Sequence, residues 1–245
     1  MAATLLLSDL HLSPAQPRAV AAFLAFARGP ARRAAAVYIL GDLFDWWVGD
    51  DQLRNRFYRR IAEALRGIHD AGVPLFVARG NRDFLIGPAF AAATGATLLD
   101  ERTVRELGGV RTLLTHGDEL CTDDLAYMRF RARSRTPAWR DDILSKPYWM
   151  RRVLAWVMRA RSRAAVANKP ESIMDVNDAA VAQAFRAHAV SRLVHGHTHR
   201  PARHVVNVDG VACERHVLAA WHDEGHYLEI DERGVRVRRA DAATS

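Results

Sequence analysis

The chain has two cysteines in 245 residues, Cys121 and Cys213. They form no CxxC pair and no disulfide framework, which fits a reducing compartment. Long apolar runs are missing too: none approaches the roughly 20 residues that a membrane span requires. Leu5-Leu6-Leu7 has no basic segment ahead of it and meets Ser8-Asp9-Leu10-His11 at once, so it is read as a first strand and not a secretion signal. A cytoplasmic protein is therefore expected. No internal repeat is present, and no low-complexity tract beyond an alanine and arginine bias. Disorder is excluded by a hydrophobic content of 49%, ample for one large domain or a domain with an insertion.

Lysine is scarce, with only Lys146 and Lys169, yet the net charge is +7. Between Leu125 and Lys169 twelve cations face two anions, Asp141 and Asp142, and the rest of the chain is net acidic. So concentrated a basic segment should face something anionic.

Five short motifs share one layout. Asp9-Leu10-His11, Gly41-Asp42, Gly80-Asn81-Arg82-Asp83, His116-Gly117-Asp118 and Gly196-His197-Thr198-His199 each follow a short apolar segment. Each is therefore placed at the C-terminal end of a strand, where α/β sheets collect their ligands. Read as extended chain, residues i and i+2 point the same way, so Asp9 pairs with His11 and His197 with His199. One such motif alone would be an ordinary turn or helix cap; five in one order suggest a site. Asp9, His11, Asp42, Asn81, His116, His197 and His199, with Asp42 bridging, supply eight bonds to two divalent cations. Imidazole, carboxylate and amide oxygen without thiolate favour Mn²⁺, Fe²⁺, Co²⁺ or Zn²⁺ over Ca²⁺. Two such ions lower the pKa of a shared water and clamp phosphoryl oxygens, so the expected reaction is hydrolysis of a phosphate ester or anhydride.

Strands and helices alternate as far as Asn81, with helices over about 17–28 and 53–71, which indicates a layered α/β half. A short helix near 88–93 follows, then a hairpin over 103–114 turned by Gly108-Gly109. Residues 123–189 read as helical and interrupt two strand-rich parts, so they are taken as a lid inserted in one domain spanning 1–245. Within it, Tyr148 to Arg163 forms a basic amphipathic helix. Its apolar face either packs on the core or lies on a membrane surface. Four segments after His199 look like a meander closing a second sheet.

The five motifs resemble the calcineurin-like metallophosphoesterases. Nearly the whole chain is similar to the UDP-2,3-diacylglucosamine pyrophosphatase family of lipid A biosynthesis, through Ser8 to Leu12, Gly41 to Asp45, Gly80 to Asp83 with its Arg82, His116 to Asp118 with Leu120 to Asp124, Ile173 to Asn177, and His195 to Pro201. The resemblance implies a four-layer αββα sandwich of two mixed sheets. It implies cleavage of UDP-2,3-diacylglucosamine to UMP and 2,3-diacylglucosamine 1-phosphate by water attacking the uridine-side phosphorus.

By the family pattern one Mn²⁺ takes Asp9, His11, Asp42 and His199, and the other Asp42, Asn81, His116 and His197. The substrate contacts carried over are Asn81, Arg82, Asp124, Ser162, Val166, Lys169 and His197, with Arg159 a further candidate. Val166 departs from the polar residue common there. Asp42, Arg82 and His116 are the expected catalytic residues. The two acyl chains need an apolar chamber, expected from Trp149 to Val157 and Asp175 to Phe185, and the arginines would hold the protein, a monomer, peripherally to the anionic cytoplasmic face of the inner membrane. No nucleic-acid partner is expected. Two other readings remain: a soluble nucleotide pyrophosphatase or phosphodiesterase on the same metals, and a non-catalytic lipid- or nucleic-acid-binding module.

Overall fold

The structure, a computed structural model, describes residues 2–167, 175–221 and 225–240, with the backbone alone for 161–167. Its first half is built from β1 (Thr4–Leu7), α1 (Pro17–Arg28), β2 (Ala36–Leu40), α2 (Arg56–His69), β3 (Leu75–Ala78), α3 (Pro88–Thr94) and β4 (Thr97–Leu98). Helix starts follow local chemistry. Pro17 and Pro88 open α1 and α3, where a missing N–H costs nothing. Asn55 caps α2 by accepting from the Phe57 N–H at 2.9 Å. The expected start of α2 at residue 53 falls inside a 3-10 turn, Asp50–Arg54.

A hairpin of β5 (Arg102–Leu107) and β6 (Val110–Thr115) leads to α4 (Leu125–Ser134), α5 (Pro137–Ser145), α6 (Tyr148–Ala167) and α7 (Asp178–His188). Then come β7 (Arg192–His195), β8 (Ala202–Val208), β9 (Val211–Val217), β10 (His226–Asp231) and β11 (Gly234–Arg239). One sheet has the order β11-β10-β1-β2-β3-β4 and the other β5-β6-β7-β9-β8; both mix parallel and antiparallel pairs.

Three apolar layers hold the sandwich together. Strands β1 to β3 pack on α1, α2 and α3 through Leu5, Ile39, Val77, Phe23, Ile61 and Phe90. The two sheets meet through Leu6, Leu40, Leu114, Val194, Leu228 and Ile230. The second sheet packs on α7 through Leu113, Leu193, Val181 and Phe185. The result is the helix-sheet-sheet-helix order expected from the resemblance.

Two expectations are corrected. Strands β10 and β11 do not close the second sheet; β10 pairs antiparallel with β1 in the first. The chain crosses over at Trp221, 1% exposed and edge-on to Phe23 and Phe26 of α1, so it arrives beside the open edge of β1. The apolar face of α7 lines no acyl chamber, because Val181, Ala184 and Phe185 are buried on the second sheet.

Helix α6 behaves otherwise. Trp149, Val153 and Trp156 are 63%, 53% and 67% exposed, so this face does not pack on the core. What anchors the helix is Arg151, which is buried: its Nη1 donates to Val48 O at 2.5 Å, its Nε to Lys146 O at 3.0 Å, and its Nη2 pairs with Asp51. Gly49 makes room for it, since a Cβ there would stand 2.1 Å from Arg151 Nη1. No helix among the described residues is long and apolar enough to cross a membrane.

Candidate metal centre

The five motifs meet at one edge of the sandwich, in loops leaving β1, β2, β3, β6 and β7. How they aim their side chains differs from the extended reading. Asp9, His11, Asp42, His197 and His199 all have φ between 48° and 69°, the left-handed region that costs a non-glycine residue energy and collects at functional sites. Tight loops, and not strand alternation, turn these side chains toward one point. Backbone bonds fix the loops: Asp9 N donates to Gly41 O at 3.1 Å and His11 N to Asp42 O at 2.9 Å.

Two glycines permit the close approach. A Cβ on Gly80 would lie 2.1 Å from Asp42 Oδ1, and one on Gly196 would lie 2.1 Å from Asp9 Oδ2. Asp83, to which the sequence reading gave no role, latches two of the loops. It is fully buried, and its carboxylate accepts from Gly80 N and Leu43 N at 2.8 Å, Asp42 N at 3.3 Å and Phe44 N at 3.4 Å. Its place three residues after Gly80 was the available signal, an Asp closing a turn onto backbone N–H groups.

Each carboxylate of the centre has one oxygen tied to backbone. Asp9 Oδ2 accepts from His197 N at 2.9 Å and Asp42 Oδ1 from Arg82 N at 2.8 Å. Their other oxygens face imidazoles: Asp9 Oδ1 lies 3.4 Å from His199 Nε2, and Asp42 Oδ2 lies 3.9 Å from His11 Nδ1. His116 Nδ1 lies 2.9 Å from Leu40 O, a bond that fixes the tautomer and turns Nε2 inward, as ligating histidines require. Asn81 Oδ1 stands 2.9 Å from that Nε2 and 3.0 Å from His197 Nδ1.

These residues fit cations. Asp9 Oδ1 and His11 Nδ1 are buried without a hydrogen-bond partner, a costly state for polar atoms unless something else satisfies them. His11 Nε2 and His199 Nε2 face each other at 3.1 Å. Asp9, His11 and His199 form one group of donors within 4.8 Å of one another, and Asp9, Asp42 and His116 form a second.

The electrostatics are those of a crowded buried site. Burial pushes Asp42 up to about 7, helped by Asp83 and Asp9 and opposed by His116. Burial would lower His116, but Asp42, Asp9 and Asp118 outweigh it and raise it to about 9. Burial holds His11 down at about 3 and His197 at about 4. Bound divalent cations would take over the role that the proton on His116 plays here.

The other candidate residues are placed unevenly. Arg82 is half-buried on the loop after β3, close enough for its charge to depress His11. Asp124 caps α4 through Tyr127 N at 3.0 Å. Arg159 is ion-paired with Asp45, three residues beyond Asp42. The side chains of Ser162 and Val166 and the whole of Lys169 lie outside the described residues, as do Ile173 and Met174. A cleft of about 460 Å³ opens beside Arg159, lined by Trp46, Trp149, Arg152, Val153, Ala155 and Trp156.

The family model of calcineurin-like phosphoesterases matches residues 3–201. A UDP-2,3-diacylglucosamine hydrolase from Enterobacter sp. strain 638 is 46% identical over 235 residues, 96% of this chain and 98% of that protein. The protein of the same name from Escherichia fergusonii is 47% identical with the same coverage. Among solved structures, a phosphoesterase from Escherichia coli covers 99% of this chain and 95% of its own at 16% identity, with a TM-score of 0.47.

Proposed function

The chain belongs to the calcineurin-like phosphoesterases and, within them, to the UDP-2,3-diacylglucosamine hydrolase family, and on that premise we propose that it hydrolyses the pyrophosphate of UDP-2,3-diacylglucosamine. Water attacks the uridine-side phosphorus, the bond to the bridging oxygen breaks, and UMP leaves beside 2,3-diacylglucosamine 1-phosphate. The observation that carries this reading is the donor cluster assembled from five loops, accompanied by a tryptophan-lined cleft whose Arg159 pairs with Asp45, three residues beyond Asp42.

Metallophosphoesterases bind divalent metal ions, and the donor set here is of the kind they take. We assign two Mn²⁺ to it, one on Asp9, His11 and His199, the other on Asn81, His116 and His197, with Asp42 shared. Ions in such a pair activate water and neutralise charge on the transferred phosphoryl group. The chain's own side chains do the rest. Arg82 forks onto phosphate oxygens, and Asp9 and Asp42, each pinned by one backbone N–H, keep their second oxygen inward. Asp83 holds the Asp42 and Asn81 loops in register. Asp124, Ser162, Val166 and Lys169 complete the substrate contacts from the helical insert, residues 123–189, which acts as a lid.

Trp149, Val153 and Trp156 receive the acyl chains, while Arg152 and its neighbours bind anionic headgroups, each worth about 1 kcal/mol at a charged surface. The protein works as a monomer, peripheral on the cytoplasmic face of the inner membrane. The test is competition among substrates: the lipid-linked UDP-sugar should be turned over in preference to deacylated UDP-sugars and ADP-ribose, with ¹⁸O from labelled water appearing in UMP. Preference for the deacylated compounds would overturn the lipid assignment.

A further inference from the structure

Helix α4 ends in a buried knot that neither the metal donors nor the acyl cleft requires. Asp118 is 1% exposed, and its Oδ2 accepts from three side chains: Tyr127 Oη at 2.5 Å, Arg131 Nε at 2.9 Å and Arg135 Nη2 at 3.3 Å. Arg135 Nη2 also donates to Gly80 O at 3.0 Å, and its guanidinium lies 4.5 Å from the centre of the Phe84 ring. The Tyr127 ring is stacked on His197, with centroids 6.1 Å apart and planes at 26°. Buried ion pairs add little net stability, but they can fix geometry.

The knot touches the centre on one side. Gly80, which accepts from Arg135, precedes Asn81. Asp118 follows His116 by two residues, and Tyr127 faces His197. Asp9 N and His11 N bond instead to the loop after β2, His199 stands against the His11 ring at 5.1 Å, and the direct link across is His197 N to Asp9 Oδ2 at 2.9 Å.

We propose that Asp118, Tyr127 and Arg135 are positioning residues for one of the two metal positions, that of Asn81, His116 and His197, so that docking of α4 sets the affinity of that position and not of the other. The inference rests on the two-metal reading above. It makes the helical insert part of the metal centre's support as well as of its lipid cleft.

The test is Mn²⁺ binding to the full chain, followed by calorimetric titration and by the electron spin resonance signal of coupled ion pairs. Wild type takes up two ions. Arg135→Met, which keeps the stem and removes every donor, should weaken one equivalent by about 10- to 100-fold, the usual cost of losing an outer-shell partner of a ligand. The other equivalent should be unchanged, and coupled pairs should vanish at sub-saturating Mn²⁺. Tyr127→Phe, which keeps the ring on His197 and should leave the fold intact, should weaken the same equivalent by about 10-fold. Arg135→Lys should restore part of the loss, since one ammonium reaches either Gly80 O or Asp118. Equal weakening of both equivalents, or of neither, overturns the proposal. A wild-type chain that binds fewer than two ions overturns the two-metal reading itself.

Discussion

Asp83→Asn is the sharpest probe of how the centre is assembled. The wild-type carboxylate spends one oxygen on Gly80 N and Asp42 N and the other on Leu43 N and Phe44 N. An asparagine keeps the volume and one acceptor oxygen, but turns an NH₂ toward the second pair of N–H donors. Two buried donors then lose their acceptor at about 1 to 3 kcal/mol each, so the expected loss is about 4 kcal/mol. For a chain of this size 1 kcal/mol moves Tm by roughly 2 to 4 °C, so the variant should melt about 10 °C lower. The melt is to be followed by circular dichroism in a chelator, so that metal binding does not mask the difference. A Tm within about 2 °C of wild type, a shift expected from less than 1 kcal/mol, would refute the latch, because Asp83, Leu43 and Phe44 are 0% exposed and a released N–H there does not face bulk water.

Asp42→Ala and His116→Ala should each lower hydrolysis by more than about 100-fold, beyond what loss of an outer-shell partner costs, read as UMP release; unchanged turnover would remove the metal mechanism. Saturating Mn²⁺ at about 100 times its Kd should stabilise the fold by about 2.7 kcal/mol for each ion bound, seen as a rise in Tm that a chelator abolishes; no rise would leave the donor cluster without its cation. Trp149→Ala with Trp156→Ala should raise KM for the diacylated substrate and weaken binding to anionic vesicles without lowering Tm, because both side chains are more than 60% exposed; an unchanged KM would take the acyl chains elsewhere. Burial, with Asp118, Asp175, Glu119 and Asp124 around it, pushes the Cys121 thiol up to about 12, and burial raises Cys213 as well. An aromatic disulfide reagent at pH 8 should therefore titrate no thiol until denaturant is added, and a prompt reaction in the native protein would contradict that burial.

The sequence marked the candidate donors at strand ends and, through the resemblance, the layer order. Apolar runs ending in Asp, Asn or His mark strand ends chemically, and α1 is legible from Pro17 to Arg28 because its punctuation is local: a proline that opens it and Gly29 after it. The basic insert was equally plain as composition.

Tertiary structure decided what depends on partners distant in the chain. The left-handed turns at Asp9, His11, Asp42, His197 and His199 persist only because bonds from other loops hold them, so alternation along a strand could not describe them. Asp83 and Asp118 look like ordinary turn residues until their donors arrive from the loop after β2, from α4 and from the residue after it. The side of β1 on which β10 lies is settled by Trp221 beneath α1, and the burial of α7 with the exposure of α6 by which helix reaches a sheet face. In each case residue type fixes what a side chain can bond, and only folding supplies the group that it bonds to.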